Sequence, residues 1–528
     1  MAPPNRVSEP TGSDPRPRGT VARPVSELAL VAAATQVEGA PDVLVSGVSS
    51  SSSQVCPGDL FAALPGSNAH GARFAPQAVG DGAVALLTDP AGRAGLAERL
   101  PAGFPVLTCA DPRAVLGRLS AEVYGNPSRS VPVLGVTGTS GKTTTTFLVR
   151  AGLVAAGIDV GLIGTVGVFI GENTAKTPFT TPEAPQLQAL LAVMAERGIG
   201  RVAMEVSSHA LRLGRVDGTE FEVGAFTNLS QDHLDFHHDM EDYFQAKSML
   251  FDGRCRHEVV VVDDEWGQRL VRPDTVTVSA TGRPADWRAT DVRVGADGST
   301  SFTVHGPGLR FAAGCRIPGS YNVANTLLAC AILATSGVDV PPLAPALAGA
   351  QVRGRMERVD GDQPFLAVVD YSHKPAGVLG ALQALRQLTS GKLIIVLGCG
   401  GDRDRGKRPV MGEVAAIGAD VLIVTDDNPR GEDPAEIRAA MLAGARAVPA
   451  SRAAEIIEEC DRRRAIEAAI ALAGPGDTVL IAGKGHENGQ DVGGVMLAFD
   501  DVTVLREALL ARGFNTGETV PDRNVTSP

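Results

Sequence analysis

A chain of 528 residues is too long for one compact core, and at roughly 150 residues per domain it implies about three to four domains. Hydrophobic residues make up 44% of it and aromatic ones only 4%, enough for aliphatic cores but with little of the stacking surface that single-stranded nucleic-acid binders use. The formal charge of -12 opposes nonspecific attraction to DNA or an anionic membrane, so an anionic substrate must be captured by local charge. Seven cysteines, scattered from Cys56 to Cys460 without CxxC spacing or clustering with histidines, point to a reducing cytosol and to no zinc site.

Residues 1–26 are polar and rich in Pro, Arg and Ser, lack the apolar core of a secretory signal, and are expected to form a disordered tail. From 27 to 130, short apolar runs alternate with Gly/Pro/Ser turns, as in VSGVSSSSSQVCPGDLFAAL, which predicts a small α/β domain. From 131 to 350, strand-like VPVLGVTG leads through a glycine turn into helix-like KTTTTFLVRAGLVAAG, and further strands follow at RVAMEV, VGAFTN and EVVVV. Such alternation predicts a mainly parallel sheet with its ligand at the strand carboxyl ends. From 351 to 528, FLAVVDY, KLIIVLG, DVLIVTDDNP and DTVLIAG repeat the pattern. The fold class is therefore α/β in three domains: a small first domain, a central P-loop ATPase-type sheet and a C-terminal Rossmann-like doubly wound domain. No apolar run nears the roughly 18 residues of a membrane span.

The most specific stretch is GVTGTSGKTTTT, Gly135 to Thr146. Small residues let backbone N–H groups converge on phosphate oxygens, the helix start adds positive partial charge, Lys142 reaches the outer phosphates and the Thr143 hydroxyl suits Mg²⁺. Gly138, Thr139, Ser140, Gly141, Lys142, Thr143 and Thr144 are the ATP-binding candidates, although the strict Walker pattern wants a glycine where Val136 stands. Glu205, with Ser207, Ser208 and His209 behind it, ends one predicted strand, and Asn228, Asp232, His233 and Asp235 follow another. Hard oxygen donors with an occasional imidazole suit Mg²⁺ held together with phosphates. Each cluster alone reads equally as helix caps and solvated loop, and their shared position beside a phosphate loop favours a site.

TGTSGKTTT, EVSSHAL, TNLSQDHLDFH, GSYNVANTLLA, GRMERV, DYSHKP, GDRDRGKRP, DDNPR and GKGHE, in this order over about Val45 to Phe499, resemble the Mur ligases. That family's glycine loop departs from Walker spacing as this one does. The resemblance is narrower to members that add meso-diaminopimelate to UDP-N-acetylmuramoyl-L-alanyl-D-glutamate in cytoplasmic peptidoglycan precursor synthesis. It implies ATP as co-substrate, Mg²⁺, an acyl phosphate, and a soluble monomer binding neither nucleic acid nor membrane.

By the same resemblance Lys142, Glu205, His233, Lys247 and Arg355 are catalytic, with Thr143, Glu205, His233 and Lys247, the last as a CO₂-derived carbamate, supporting metal. Asn228 and Asp232 orient their loop. Asn322, Asn325, Asp370 and His373 join the ATP-binding set, although Asn322 and Asn325, three apart on one helical face, read equally as core-helix caps. Ser50, Ser52, Ser67, Asn68 and Ala69 in the first domain, with Thr180, Thr181, Ser207 and Arg215 in the central one, are implied to bind the UDP-muramoyl dipeptide. The family's Asp-Ser-Arg triplet before GDLF is here Ser51-Ser52-Ser53, so the hydroxyl stays and the flanking charges are lost. Arg403, Asp427, Asn428, Pro429, Arg430, Gly483 and Glu487 are implied to bind diaminopimelate, Arg430 by pairing with its distal carboxylate. Read without the family, DDNPR is a Pro turn before the next helix.

Three other readings compete. Folylpolyglutamate synthetase shares the amide-forming logic and general fold, but not the first domain, DDNPR or GKGHE. A P-loop motor gains nothing from the third-domain motifs. A noncatalytic relative would be expected to have lost Lys142, Glu205, His233 or Lys247, and all four are present.

Overall fold

The computed structural model describes residues 16–66, 69–96, 99–171, 173–175, 177, 179–234, 236–295, 298–319 and 321–516. They fall into two compact units. One comprises the chain to Arg288 with 305–308 and 327–343, and the other 289–304, 309–326 and the chain from Ala344 onward.

The first unit holds two main sheets besides a short two-stranded pairing near its N-terminus. The smaller has strands Gly47–Ser49, Asp59–Ala62, Ala85–Thr88 and Val106–Thr108 side by side and parallel, with Gln36–Glu38 antiparallel at its edge. Its residues alternate faces: Leu60, Ala62, Leu87 and Leu107 join one buried cluster, Phe61, Ala63, Leu86 and Val106 the other. A sheet buried on both faces calls for the continuous apolar runs seen in the sequence. The larger sheet orders Val160–Gly164, Arg201–Glu205, Val133–Thr137, Phe221–Phe226, Cys255–Val261 and Val276–Ser279, all parallel. Helices Lys142–Ala155 and Ala184–Glu196 connect its strands, and Leu187, Leu190, Leu191 and Met194 from the second of these enter its core.

Within this unit helix Pro112–Val123 starts on Asp111, whose carboxylate accepts the N–H groups of Arg113 and Ala114 with Pro112 at the first turn. Tyr124, just beyond that helix, packs on Ala189 and Ala192 of helix Ala184–Glu196. The expected tail differs from residue 16 onward: Arg16 forms an ion pair with Asp59, and Arg23–Pro24 pairs with Leu44–Val45. A two-pronged guanidinium–carboxylate contact offsets the ordering entropy that composition alone led us to expect would win.

The second unit carries a doubly wound sheet in the order Glu357–Arg358, Leu366–Asp370, Thr478–Ala482, Leu393–Leu397, Val421–Val424, Glu455–Glu458, parallel except at its first edge. Leu397, Val424 and Ala482 end neighbouring strands, and the order places the loops after them at one end of the sheet. A hairpin, Gly489–Val492 with Val495–Ala498, follows. No described helix is long and apolar enough to cross a membrane.

Candidate active site

Strand Val133–Thr137 feeds a turn in which Gly138 has φ +142°, and a Cβ there would collide with Thr227 Oγ1. Only glycine lets the loop lie this close to the neighbouring strand's end. Helix Lys142–Ala155 begins on Gly141, which has no side chain to cap the first-turn N–H groups, the arrangement that suits an anion. The loop is laced to the next strand's exit. Asn228 Oδ1 accepts the Ser140 N–H at 3.1 Å, its Nδ2 donates to the Ser140 carbonyl at 3.2 Å, and Thr227 Oγ1 donates to the same carbonyl at 2.7 Å.

Two lysines converge on one carbonyl. Lys142 Nζ donates to Gly138 O at 2.8 Å and to Thr139 O at 3.0 Å, folding back over its own loop, and Lys247 Nζ donates to Gly138 O at 2.8 Å. Lys247 is 1% exposed. Burial first and Lys142 second hold its pKa well below that of an ordinary lysine, against the pull of Asp232. Its neutral amine is thereby favoured.

Glu205, fully buried at the end of its strand, accepts from three donors. Thr143 Oγ1 reaches Oε2 at 3.0 Å, Thr165 Oγ1 reaches Oε2 at 3.1 Å, and the Thr165 N–H reaches Oε1 at 2.9 Å. Thr165 Oγ1 in turn lies 3.1 Å from Thr180 Oγ1. Thr181 donates to the Glu205 carbonyl at 2.9 Å and accepts the Ser207 N–H at 3.1 Å, and Ser207 caps the short helix Ser208–Arg212. Arg215 Nε pairs with Glu183 at 2.9 Å, Nη1 donates to the Thr181 carbonyl at 3.3 Å, and the guanidinium lies 4.2 Å above the Phe179 ring. Thr180, Thr181, Ser207 and Arg215 thus form one connected patch beside Glu205.

His233 adopts φ +53°, its N–H on Asp232 Oδ1 at 2.9 Å and its ring edge-on to His209. Tyr243 was not singled out from the sequence, yet it is the hub: its hydroxyl accepts from Thr139 at 3.2 Å, Lys247 Nζ lies 4.5 Å from its ring, and the His233 ring is 6.2 Å away. The signal that could have found it is spacing, since Tyr243 precedes Lys247 by four on helix Met240–Ser248. Thr165 had no such signal. Among the described residues no group of three His, Cys, Asp or Glu is arranged to hold a metal ion by itself. The oxygen donors of Thr143 and Glu205, already 3.0 Å apart, nonetheless suit a hard divalent cation.

Ser50 and Ser52 follow strand Gly47–Ser49, with Ser52 Oγ donating to Gln77 at 3.4 Å and Ser51 Oγ 3.0 Å from Ser53 Oγ. Ala69 is described; Ser67, Asn68 and Asp235 lie outside the described residues.

In the second unit the capping alternative describes Asn322 and Asn325. Asn322 Nδ2 donates to the Pro318 carbonyl at 2.8 Å and Asn325 Nδ2 donates to Asn322 Oδ1 at 2.8 Å, both side chains being buried. In this arrangement their amides hold the helix start to its preceding turn. Arg355 stacks 4.7 Å over Tyr371. Asp370 accepts the N–H groups of Met356 at 2.8 Å and Ser372 at 2.9 Å, and also the Ser372 hydroxyl, which anchors the DYSHKP loop. Burial pushes His373 down to about 4, while its Nδ1 sits 2.8 Å from the Tyr371 carbonyl.

At the end of strand Val421–Val424, Arg430 has φ +52° and donates from Nη1 to the Gly401 carbonyl at 2.8 Å. The hairpin fixes its backbone: its N–H donates to Asp491 O at 3.0 Å and its carbonyl accepts the Gly493 N–H at 2.8 Å. Arg403 lies in the loop that Arg430 holds, and Asp427 is buried against Gly483. Pro429 leads into Arg430 from Asn428, whose Nδ2 donates to Glu487 Oε2 at 2.8 Å. Lys484, fully buried and absent from the expected set, donates to Asn428 Oδ1 at 2.9 Å and Glu487 Oε2 at 3.3 Å. Its place inside GKGHE was the available signal.

Three family models match this chain: Mur ligase family, catalytic domain over 44–124; Mur ligase middle domain over 136–333; and Mur ligase, glutamate ligase domain over 354–485. A Streptomyces coelicolor protein named UDP-N-acetylmuramoyl-L-alanyl-D-glutamate--2,6-diaminopimelate ligase is 54% identical over 503 residues, covering 94% of this chain and 98% of its own. A Corynebacterium glutamicum protein of the same name is 51% identical over 461 residues, covering 85% and 89%. A solved structure of that name superposes with TM-score 0.67 at 32% identity over 93% of this chain and 99% of its own. Folylpolyglutamate synthase of Mycobacterium tuberculosis shares the fold, with TM-score 0.56 at 18% identity over 76% of this chain and 94% of its own.

Proposed function

Because this chain belongs to the Mur ligase family, we propose that it is an ATP-dependent ligase joining meso-2,6-diaminopimelate to the D-glutamyl carboxylate of UDP-N-acetylmuramoyl-L-alanyl-D-glutamate. It would do so as a cytoplasmic monomer making peptidoglycan precursor. A substrate carboxylate oxygen attacks the γ-phosphorus of ATP, the bond to the bridging oxygen breaks, and ADP leaves. The amine then attacks the acyl carbon, gives up a proton, and expels inorganic phosphate. Both steps need positive charge where anions meet and exclusion of water from the acyl phosphate.

The observation that carries the reaction class is the convergence of Lys142 and Lys247 on Gly138 within the unit that also pairs Thr143 with Glu205. Lys142 and the helix start meet the phosphates. Thr143, Glu205 and His233 would hold Mg²⁺, which when bound would neutralise anionic charge at the phosphates. Lys247 fits carbamylation because burial lowers its pKa and favours the uncharged amine. That nitrogen adds to CO₂ and loses a proton, which puts a carboxylate-like anion beside Lys142. Thr180, Thr181, Ser207 and Arg215 would hold the muramoyl dipeptide, Ser50, Ser52, Ser67, Asn68 and Ala69 its UDP end. Asn322, Asn325, Arg355, Asp370 and His373 are the second unit's candidates for nucleotide.

The relatives' names supply the amino acid, and the Asp427–Arg430 turn supplies the chemistry to select it. Diaminopimelate differs from lysine by a distal carboxylate. Arg430, seated by its backbone and by Gly401, offers a planar fork, and Arg403 stands nearby. Glu487, with both of its hydrogen bonds on Oε2, would face the distal ammonium. Arg430 is half-buried, so leaving its guanidinium without the distal carboxylate costs less than the roughly 3–5 kcal/mol of a fully buried charge, and lysine should be used at least about tenfold less efficiently. Measuring product formation with both amino acids in wild type and Arg430→Ala tests this. Equal use of lysine by wild type, or an unchanged preference in the variant, would refute the assignment.

A further inference from the structure

The N-terminal segment lies ahead of the matched family models, the first of which begins at residue 44, and it makes defined contacts at two places. Arg16 grips Asp59 with both terminal nitrogens, Nη1 to Oδ1 at 3.0 Å and Nη2 to Oδ2 at 2.9 Å. The same Nη1 donates to the Tyr124 hydroxyl at 2.9 Å, and Nη2 donates to the Gln54 carbonyl at 3.2 Å. Tyr124 Oη also accepts the Val48 N–H at 3.1 Å, so the network brackets strand Gly47–Ser49 and the serine turn after it. The strand is built around the pair: a Cβ on Gly47 would meet Asp59 Oδ1 and, at 2.7 Å, Arg16 Nη1. Two and three residues on, the N–H groups of Arg18 and Gly19 donate to the Glu196 carboxylate at 3.0 and 2.6 Å. Glu196 ends helix Ala184–Glu196, where a carboxylate opposes the helix dipole and gains from added donors. That helix begins just after Thr180 and Thr181, and its Gln186 Nε2 donates to Gln54 Oε1 at 3.3 Å.

We propose that Arg16 is a positioning residue for the nucleotide-sugar site, holding the Ser51–Gln54 turn in place through Gln54 and Asp59 while residues 18–19 tie it to the helix that follows Thr181. The inference rests on the reading of the first domain as the holder of UDP. It also accounts for how a turn that lacks charged flanks at Ser51 and Ser53 is kept in one conformation: the cation comes from the N-terminal segment. A turn ordered in advance spares the substrate the entropy of ordering it.

The test is steady-state kinetics of the full chain with Arg16→Ala and Arg16→Lys. In Arg16→Ala, KM for the UDP-linked dipeptide should rise by roughly tenfold, with kcat and KM for ATP within about twofold of wild type. Arg16→Lys keeps the charge without the fork and should lie between; it is read in the same way if the alanine variant does not fold. An unchanged KM for the UDP substrate, or KM values for UDP substrate and ATP rising together, would overturn the positioning role. Wild-type turnover indifferent to the UDP moiety would overturn instead the reading on which it rests.

Discussion

At the scale of single residues, the chemistry concentrates on the Gly138 carbonyl, where two lysines meet, Lys142 half-buried and Lys247 buried. Lys142→Ala removes the direct counter-charge to the γ-phosphate and should lower kcat by several orders of magnitude, as at other phosphate clamps. Near-normal turnover would move the ATP site off this loop. Lys247→Ala should be nearly inactive and partly recover with added short carboxylic acids, which place an anion where the carbamate would stand. Labelling with ¹³CO₂ should give wild type a carbamate resonance that the variant lacks. An active, substrate-bound enzyme carrying an unmodified Lys247 amine would sink the carbamate.

At the scale of elements, the strand–turn–helix of the phosphate loop was legible from Gly135 to Thr146, because turn chemistry and the periods of strand and helix agree there. Strands Leu366–Asp370, Leu393–Leu397, Val421–Val424 and Thr478–Ala482 were legible for the same reason: buried parallel strands are nearly unbroken aliphatic runs. Strand Val160–Gly164 escaped, since glycines at 161 and 164 mimic a loop, and with it went Thr165, whose role depends on a neighbour forty residues away. Gly138→Ala tests the loop itself. The φ of +142° and the Thr227 contact forbid a Cβ, so the variant should lose ATP binding while the second unit's fold is retained. Wild-type ATP affinity in that variant would contradict the assigned conformation. The DYSHKP loop gives a pH prediction. His373 is held neutral down to about 4 when folded, whereas an unfolded histidine takes up a proton near 6.5. Over that window the unfolded state binds more protons, so stability falls as pH drops from about 6.5 toward 4, and buried His237 adds in the same direction. The urea midpoint of His373→Gln should therefore change less between pH 7 and pH 5 than that of wild type; an equal change would contradict the burial of this ring.

At the scale of the whole molecule, the sequence implies three successive domains, and one compact unit holds the first of these stretches together with most of the second, residues 289–304, 309–326 and 344–350 belonging to the other unit. The cause is local and could not be read from periodicity: Tyr124 packs on Ala189 and Ala192, Glu183 is shared by Arg113 and Arg215, and Arg16 and Glu196 tie the N-terminal segment in. Such pairings join residues up to 178 apart, and no window along the chain contains both partners. In the proposed reaction one oxygen of the D-glutamyl carboxylate passes to phosphate as the amide forms. The direct measurement is mass analysis of the inorganic phosphate released when the UDP-linked dipeptide carries ¹⁸O in that carboxylate, with ATP and meso-diaminopimelate present. One ¹⁸O atom is expected in each phosphate released with tripeptide formation; phosphate free of ¹⁸O, or released equally without the dipeptide, would rule out the acyl-phosphate route.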